Sequence, residues 1–256
     1  MLLSIDIGST NIKLGLFEGE KMCCRWRILT DRSRLADEYG VLVLNLFATE
    51  GITPAQIDGV VLSSVVPVLT QVFEEMSERY LDCKALVLSP SAEIGMKINT
   101  DIPAEVGSDL VMNALGARHL HGAPVIVIGF GTATTFVAVS AEGNLEGVAI
   151  APGIMTSGDS LFRATSALPQ VALAHPGRAI GKNTIQSLQA GFIFGFAGLV
   201  EGLVARFQAE LGGGAKVVAT GGLAKLIAPE TKVIQAVEDE LPLFGLRLFY
   251  EMNQGK

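Results

Sequence analysis

The chain has 256 residues, of which 49% are hydrophobic and 18% charged, and its formal net charge is −7. This length suits one large domain or two of modest size, with ample apolar material for a core. The net negative charge argues against a nucleic-acid-binding surface. The three cysteines form no CxxC pair, which argues against a disulfide framework or a zinc site. No stretch reaches about 18 consecutive apolar residues, so we expect a reduced, soluble, cytoplasmic protein with no membrane or nucleic-acid partner.

The N-terminal stretch Leu2 to Phe17 predicts a strand, a tight turn and a second strand. The first strand leads into Asp6, and the turn residues are Gly8, Ser9, Thr10 and Asn11. Gly8 lets the backbone approach a ligand closely. The hydroxyl and amide groups beside the turn suit oxyanions such as phosphates, and the Asp6 carboxylate could hold their metal. An ordinary polar turn is the alternative interpretation.

Hydrophobic periodicity and turn residues predict the remaining elements in chain order. In the first half, the predicted strands are Met22 to Leu29, Val60 to Val66 and Ala85 to Leu88, and the predicted helices are Arg34 to Glu50, one beginning at Pro67, and Gly107 to His121. In the second half, the predicted strands are Pro124 to Ile128, Phe136 to Val139, Asn144 to Ile150, Lys216 to Ala219 and Lys232 to Ile234. A Gly/Thr turn is predicted over Gly129 to Thr135, and helices from Met155, over Asn183 to Leu211 and over Leu241 to Met252.

The two halves of the chain begin alike. SIDIGSTNIKLGLF can be laid against VIGFGTATTFVAVS, which pairs Gly8 with Gly131, Thr10 with Ala133 and Asn11 with Thr134. A unit used twice predicts two similar α/β domains facing each other across a cleft, with one phosphate turn from each. The same alignment places Asp6 opposite Gly129, so only the first turn keeps a carboxylate.

Asp109 is a candidate catalytic carboxylate. It follows Gly107 and Ser108 near the start of a predicted helix, where a partly buried carboxylate could accept a proton from a substrate hydroxyl. An acidic residue in the first turn of a helix also offsets the macrodipole, and the spacing by itself favours that simpler role.

Two other nucleotide-binding motifs do not fit. Gly129-Phe130-Gly131 has Thr134 in place of the third glycine of a dinucleotide fingerprint, and a strand is predicted to follow it. Gly181-Lys182 lacks the spacing of a P-loop, and Asn183 stands where that motif needs Ser or Thr.

Six separated motifs carry a family resemblance over essentially the whole chain. They are DIGSTN at 6–11, PAEVGSD at 103–109, FGTATT at 130–135, IAPGI at 150–154, IGKNT at 180–184 and ATGGLAKLI at 219–227. With these motifs in this order, the chain resembles the type III pantothenate kinases of the acetate and sugar kinase, heat-shock ATPase and actin superfamily. The resemblance implies two ribonuclease H-like α/β domains, residues 1–117 and 118–256, facing each other across a nucleotide cleft.

The resemblance also implies ATP-dependent phosphorylation of the pantothenate hydroxyl to 4'-phosphopantothenate, the first step of coenzyme A biosynthesis. The resemblance implies that Asp6 binds magnesium and that Asp109 is the general base. The spacing of Asp109 alone favours the simpler role at the helix macrodipole. The implied nucleotide-binding residues are Gly8, Ser9, Thr10, Asn11, Lys13, Gly131 and Thr132 at the phosphates and Gly221 and Gly222 at the adenosine end. The implied substrate residues are Gly107, Ser108, Asp109, Leu110, Thr100 and Thr184. Family members are dimers, and Thr184 is expected to reach substrate in the neighbouring subunit.

Three positions depart from the family pattern. Gly129 replaces an aspartate that holds a monovalent cation, K⁺ or NH₄⁺, beside the phosphates. Leu110 replaces a substrate-facing arginine, and Thr100 replaces a substrate-contacting tyrosine. Leucine offers neither charge nor donor to an anionic substrate, whereas arginine binds carboxylates in bidentate fashion. Losing such a contact typically removes ~1.5–3 kcal/mol.

Two hypotheses follow from these observations. The first is a small-molecule kinase, in which Asp109 accepts the substrate proton and the two turns stabilise the phosphates. The second is a diverged homologue that binds nucleotide but is inactive, is regulatory, or acts on another small hydroxylated substrate. The retained carboxylates favour the first hypothesis, and the three departures motivate the second.

Overall fold

The computed structural model describes residues 1–88 and 92–254, and its contacts divide the chain into two compact units. Unit 1 comprises the described residues of Met1–Met96, Asp101–Gly116 and Leu241–Lys256. Unit 2 comprises Lys97–Thr100 and Ala117–Glu240. The chain therefore leaves unit 1 twice, briefly at Lys97–Thr100 and again at Ala117, and its C-terminal segment returns to unit 1.

Each unit is built on one five-stranded mixed sheet. The strands of the first sheet are β1 (Leu2–Ile7), β2 (Asn11–Glu18), β3 (Lys21–Leu29), β4 (Gly59–Ser64) and β5 (Ala85–Val87). The strands of the second sheet are β6 (Val125–Phe130), β7 (Ala133–Val139), β8 (Leu145–Pro152), β9 (Lys216–Thr220) and β10 (Ala236–Val237). The helices are α1 (Ala36–Thr49), α2 (Pro67–Leu81), α3 (Ser108–His121), α4 (Ile154–Ala164), α5 (Thr184–Glu210), α6 (Ala224–Ile227) and α7 (Leu241–Asn253).

The two sheets share one topology, as the internal repeat predicts. In unit 1 the order is β3-β2-β1-β4-β5, with β1, β2 and β3 antiparallel and β4 and β5 parallel to β1. In unit 2 the order is β10-β9-β6-β7-β8, with the same pattern of antiparallel and parallel pairs. The prediction of a duplicated two-domain α/β fold is confirmed.

Alternation of side chains along the strands places the core of each unit. In β1, Leu3, Ile5 and Ile7 are fully buried in a cluster that includes side chains of α1 and α2. In β6, Ile126 and Ile128 belong to a cluster with the buried face of α5. The alternate residues of β1 and β6 point to the opposite face of each sheet. The last such residue is Asp6 in β1 and Gly129 in β6.

Helix α7 differs from the predicted domain assignment, which placed the whole C-terminal half in one domain. Its buried side chains Leu243, Leu246 and Phe249 belong to unit 1, and it packs on β1 and β4. A Cβ on Gly15 of β2 would lie 2.9 Å from the Leu243 side chain. Burial of this apolar face explains why the chain returns to the first unit.

Two predicted boundaries in unit 2 are wrong. The second turn spans only Gly131 and Thr132, because β6 runs to Phe130 and β7 begins at Ala133. The last strand is not Lys232 to Ile234 but Ala236–Val237. The Val233 N–H bonds to the Thr231 hydroxyl, and pairing with β9 begins only where Gln235 N–H donates to the Val217 carbonyl.

Helix α5 is long and apolar, with a mean hydropathy of 1.6 in its most apolar 18-residue window, 33% of which is buried. By length and composition it could cross a membrane. Its buried residues Phe192, Ile193 and Val200 instead contribute to the core on the second sheet. The remaining face of α5 is rich in glycine, and Gly191, Gly195 and Gly198 are exposed.

Candidate active site

The first turn joins β1 to β2 and is closed by one backbone hydrogen bond. Gly8 N–H donates to the Asn11 carbonyl at 3.1 Å. Ser9 and Thr10 are exposed, while Gly8 and Asn11 are half-buried. Asp6 pairs in register with Lys13 across the antiparallel strands, so the two side chains lie on the same face. The turn therefore combines a carboxylate, an ammonium group and two exposed hydroxyls.

Asp6 is held by a residue that the sequence analysis missed. The Ser63 hydroxyl donates to Asp6 Oδ1 at 2.9 Å, and Asp6 is only 8% exposed. Ser63 stands in β4, directly opposite Asp6 in the parallel register. A serine at the end of an apolar strand carries no distinctive sequence signal, since its role comes from strand pairing. A single oriented carboxylate fits Mg²⁺, which keeps several waters and usually takes one or two protein carboxylates beside substrate phosphates.

Asp109 is the second residue of α3, and its neighbours anchor it near Asp6. The Ser108 hydroxyl donates to the Ser64 carbonyl at 3.3 Å, and Ser64 follows the Ser63 that holds Asp6. The carboxyl ends of β1 and β4 thus bring the predicted metal ligand and the predicted base to one edge of the sheet. Burial raises the pKa of Asp109 above its ordinary value of 3.8, and backbone hydrogen bonds from Leu110 and from Asp109 itself oppose that rise. A raised pKa in a polar site is typical of a proton-accepting group.

The second turn resembles the first but is one residue shorter. Gly131 N–H donates to the Ala133 carbonyl at 3.0 Å, two residues on rather than three. Phe130 pairs with Thr134 where Ile7 pairs with Ile12. The structural equivalents of Ala133 and Thr134 are therefore Asn11 and Ile12, so the predicted alignment is wrong by one residue after the turn, whereas the pairing of Asp6 with Gly129 holds.

The site around Gly129 lacks the charge that Asp6 supplies in unit 1. Gly129 lies opposite Thr220 in β9, as Asp6 lies opposite Ser63 in β4. Thr220 is 3% exposed, and its hydroxyl has no hydrogen-bond partner among the described residues. Gly129 brings no carboxylate to this position, and a monovalent cation held by a carboxylate at residue 129 does not fit it.

Gly221 and Gly222 follow β9 and lie beside the second turn. Gly221 has φ of +97°, and a Cβ there would overlap the Phe130 carbonyl oxygen. Only glycine combines that backbone with so close an approach. Unit 2 therefore gathers Gly131, Thr132, Gly221 and Gly222 at one edge of its sheet.

The predicted substrate residues do not all lie in the same unit. Leu110 lies in unit 1 and is 5% exposed. Thr100 lies in unit 2 and has a buried hydroxyl without a partner among the described residues. Its neighbour Asn99 donates to the Leu145 carbonyl at the start of β8, whereas the turn lies at the far end, where Pro152 pairs with Ala133.

Thr184 is the exposed first residue of α5. The Asn183 side chain caps this helix by accepting the Gln186 N–H at 2.9 Å. Within residues 1–88 and 92–254, no group of three or more His, Cys, Asp or Glu side chains is arranged to hold a metal ion. The magnesium assignment therefore depends on Asp6 together with nucleotide phosphates.

Comparison with known proteins agrees with the motifs. The family model for type III pantothenate kinase matches residues 2–206. A type III pantothenate kinase of Roseiflexus sp. (strain RS-1) is 53% identical over 254 residues, covering 99% of this chain and all of the relative. One from Moorella thermoacetica is 50% identical over 253 residues, again covering 99% of this chain and 100% of the relative.

A solved structure supports the fold alone. Component A of (R)-2-hydroxyglutaryl-CoA dehydratase from Acidaminococcus fermentans superposes with a TM-score of 0.60 at 14% identity, covering 98% of both chains. The duplicated topology, the paired turns and the full-length relatives agree, and the chain belongs to the type III pantothenate kinase family.

Proposed function

We propose that the protein is an ATP-dependent kinase that phosphorylates the hydroxyl of pantothenate, giving 4'-phosphopantothenate and ADP in the first step of coenzyme A biosynthesis. The carrying observation is that consecutive residues of β4 bond to Asp6 and to the neighbour of Asp109: the Ser63 hydroxyl donates to Asp6, and the Ser64 carbonyl accepts from Ser108. Membership in the family supports the activity.

Asp109 acts as the general base in this proposal. Its carboxylate takes the proton from the pantothenate hydroxyl, the hydroxyl oxygen forms a bond to the γ-phosphorus, and the bond from that phosphorus to the ADP oxygen breaks. The raised pKa of Asp109 suits it to this transfer, because the base must hold the proton once the oxygen attacks.

Each unit has its own candidate nucleotide-binding residues. In unit 1 the phosphate-binding residues are Gly8, Ser9, Thr10, Asn11 and Lys13, and in unit 2 they are Gly131 and Thr132, with Gly221 and Gly222 at the adenosine end. Asp6 would hold Mg²⁺ together with the nucleotide phosphates. When present, the ion neutralises charge on the phosphates as it develops.

Substrate recognition is altered in this proposal. Gly107, Ser108 and Leu110 border the substrate beside Asp109, with Thr100 and the partner subunit's Thr184 as further contacts. Leu110 can supply only an apolar contact. A residue other than Leu110 must therefore bind the pantothenate carboxylate.

We expect turnover to be independent of the monovalent cation. Because Gly129 carries no carboxylate, replacing K⁺ or NH₄⁺ with Na⁺ at constant ionic strength should leave kcat/KM unchanged within about twofold, an effect below ~0.4 kcal/mol. The check is a steady-state assay in the three chloride salts. A large stimulation specific to K⁺ or NH₄⁺ would show that other groups complete a cation site.

The three departures favour a second candidate, a diverged homologue that binds nucleotide and is inactive, is regulatory, or uses another hydroxylated substrate. A panel of pantothenate, pantetheine and small hydroxy acids, each with Mg²⁺ and ATP, separates the two. Turnover of pantothenate supports the kinase proposal. Turnover of another alcohol replaces only the substrate, and nucleotide binding without any turnover supports the inactive homologue.

We also propose a cytoplasmic homodimer. Helix α5 supports it, because Gly191, Gly195 and Gly198 form an exposed stripe with no heavy atom within 4 Å of a Cβ built on any of them. Small residues in such a stripe allow two helices to approach closely. Ile185 is 53% exposed beside Thr184 and adds apolar surface at the same end of the helix.

Gly195→Leu is expected to convert the dimer to a monomer. The added side chain would hold two α5 helices apart, whereas Gly195 is exposed and a Cβ there meets no heavy atom of the described residues within 4 Å. Sedimentation equilibrium gives the association constant, which should fall at least about tenfold, or ~1.4 kcal/mol. Ala48→Leu, an exposed substitution on α1, is the matched control and should leave the association constant unchanged. Equal association of both variants and the parent protein would place any interface elsewhere.

A further inference from the structure

Thr30, which follows β3 directly, ties the first turn to the rest of its unit. Its hydroxyl donates to the Gly8 carbonyl at 2.7 Å, and its backbone N–H donates to the Thr10 carbonyl at 3.0 Å. The next residue is anchored in turn, because Asp31 N–H donates to the Tyr39 hydroxyl at 3.1 Å and that hydroxyl donates to the Asp31 carbonyl at 2.9 Å. Tyr39 is fully buried, so the clamp is fixed to the core.

The second unit repeats this arrangement with different residues. Gly153, which follows β8 directly, donates its N–H to the Thr132 carbonyl at 3.1 Å. The Thr156 hydroxyl, in the first turn of α4, donates to the same carbonyl at 2.7 Å. A Cβ on Gly153 would overlap the carbonyl oxygens of Thr132 and Gly131, so the contact requires glycine. In both units, a backbone N–H and a threonine hydroxyl just after the third strand hold carbonyls of the turn.

Peptide geometry sets the direction of the N–H groups in the two turns. A trans peptide group is planar, and its C=O and N–H point in opposite directions. Holding the Gly8 carbonyl aims the Ser9 N–H away from Thr30, and holding the Thr132 carbonyl aims the Ala133 N–H away from Thr156. Backbone N–H groups fixed in this way form a site for an oxyanion.

We infer that Thr30 and Thr156 are positioning residues for the two phosphate turns, acting through turn carbonyls rather than by touching the nucleotide. The inference rests on the proposed function, because it takes the phosphates of ATP as the oxyanion. Neither threonine belongs to the motifs that carry the family resemblance.

The test compares hydroxyl removal with hydroxyl retention. Thr30→Val keeps the shape and loses the bond to Gly8, while Thr30→Ser keeps the donor. Loss of one neutral hydrogen bond corresponds to roughly a threefold to tenfold change in an equilibrium constant. We expect Thr30→Val to raise KM for ATP and Kd for MgADP by that factor, with KM for pantothenate unchanged, and Thr30→Ser to stay within twofold of the parent protein. Thr156→Val and Thr156→Ser should behave in the same way.

Thr49→Val is the matched control, since the Thr49 hydroxyl also donates to a backbone carbonyl, that of Leu46, at 2.7 Å, but at the end of α1. It should leave Kd for MgADP unchanged. Equal MgADP affinity of Thr30→Val and the parent protein would overturn the inference, as would equal weakening by Thr30→Ser or by Thr49→Val. Calorimetry with MgADP requires no turnover, so absence of kinase activity in the parent protein would defeat the proposed function without deciding this inference.

Discussion

Asp109→Asn is expected to lower kcat for pantothenate phosphorylation by about 100-fold to 10,000-fold, the usual contribution of a positioned general base. Asparagine keeps the size of the side chain but cannot accept a proton at neutral pH. KM for ATP should change little, because the phosphate turns remain intact. A coupled assay for ADP release, run at saturating ATP and pantothenate, measures the effect.

The same substitution should stabilise the fold at neutral pH. Because the pKa of Asp109 is raised in the folded state, its stabilising contribution is fully present below the unfolded value of 3.8 and is lost as the pH rises through the folded pKa. Asparagine stays neutral throughout and avoids that loss. Thermal unfolding should therefore show a higher Tm for Asp109→Asn than for the parent protein at pH 7. The difference should vanish near pH 3.

Asp37→Asn is the matched control for both measurements. Asp37 is also the second residue of its helix, α1, but it is 55% exposed and pairs with Arg79 at 2.9 Å. Its removal should leave kcat unchanged and lower stability by less than about 1 kcal/mol. If Asp109 only offset the helix macrodipole, Asp109→Asn would behave like this control, with full activity and a slightly lower Tm.

Asp6→Asn is expected to reduce kcat/KM for ATP by two or more decades, since Lewis-acid stabilisation by a bound metal contributes several kcal/mol. Asparagine still accepts the Ser63 hydrogen bond through its carbonyl oxygen, so the fold and the first turn should persist. Only the negative charge that we propose attracts Mg²⁺ is lost. The equivalent position in β6 is Gly129, which offers no carboxylate to compensate.

A magnesium titration of activity provides the measurement for Asp6→Asn. The variant should need a much higher Mg²⁺ concentration for half-maximal rate. Asp82→Asn is a suitable control, because Asp82 is exposed and has a left-handed backbone that asparagine tolerates. An unchanged magnesium dependence in Asp6→Asn would remove Asp6 from the metal site.

The fold could be predicted where a local sequence motif is repeated in both halves of the chain. The strand-turn-strand motif at Gly8 and its repeat at Gly131 carry their own signal in glycine and hydroxyl residues, and the duplicated topology follows from them. The assignment of α7 to the first unit could not be predicted, because an amphipathic pattern shows that a face is buried but not against which sheet.

The site was predictable only in part for the same reason. Asp6 and Asp109 stand in recognisable motifs, whereas the hydroxyls of Ser63 and Thr30 bond to Asp6 and Gly8 across 57 and 22 residues of sequence. The two turns differ in length by one residue. Only the strand register shows this difference, because the two sequences align without a gap. The 5% exposure of Leu110 likewise could not be predicted from the sequence, because a leucine at the start of a helix can be buried or exposed.

The most direct measurement of the central claim is mass-spectrometric detection of product from purified protein incubated with Mg²⁺, ATP and isotopically labelled pantothenate. The labelled product should carry one phosphate on the pantothenate hydroxyl, form in step with ADP, and be absent with Asp109→Asn. Nucleotide binding with no labelled phosphopantothenate, in K⁺, NH₄⁺ or Na⁺, would contradict the account.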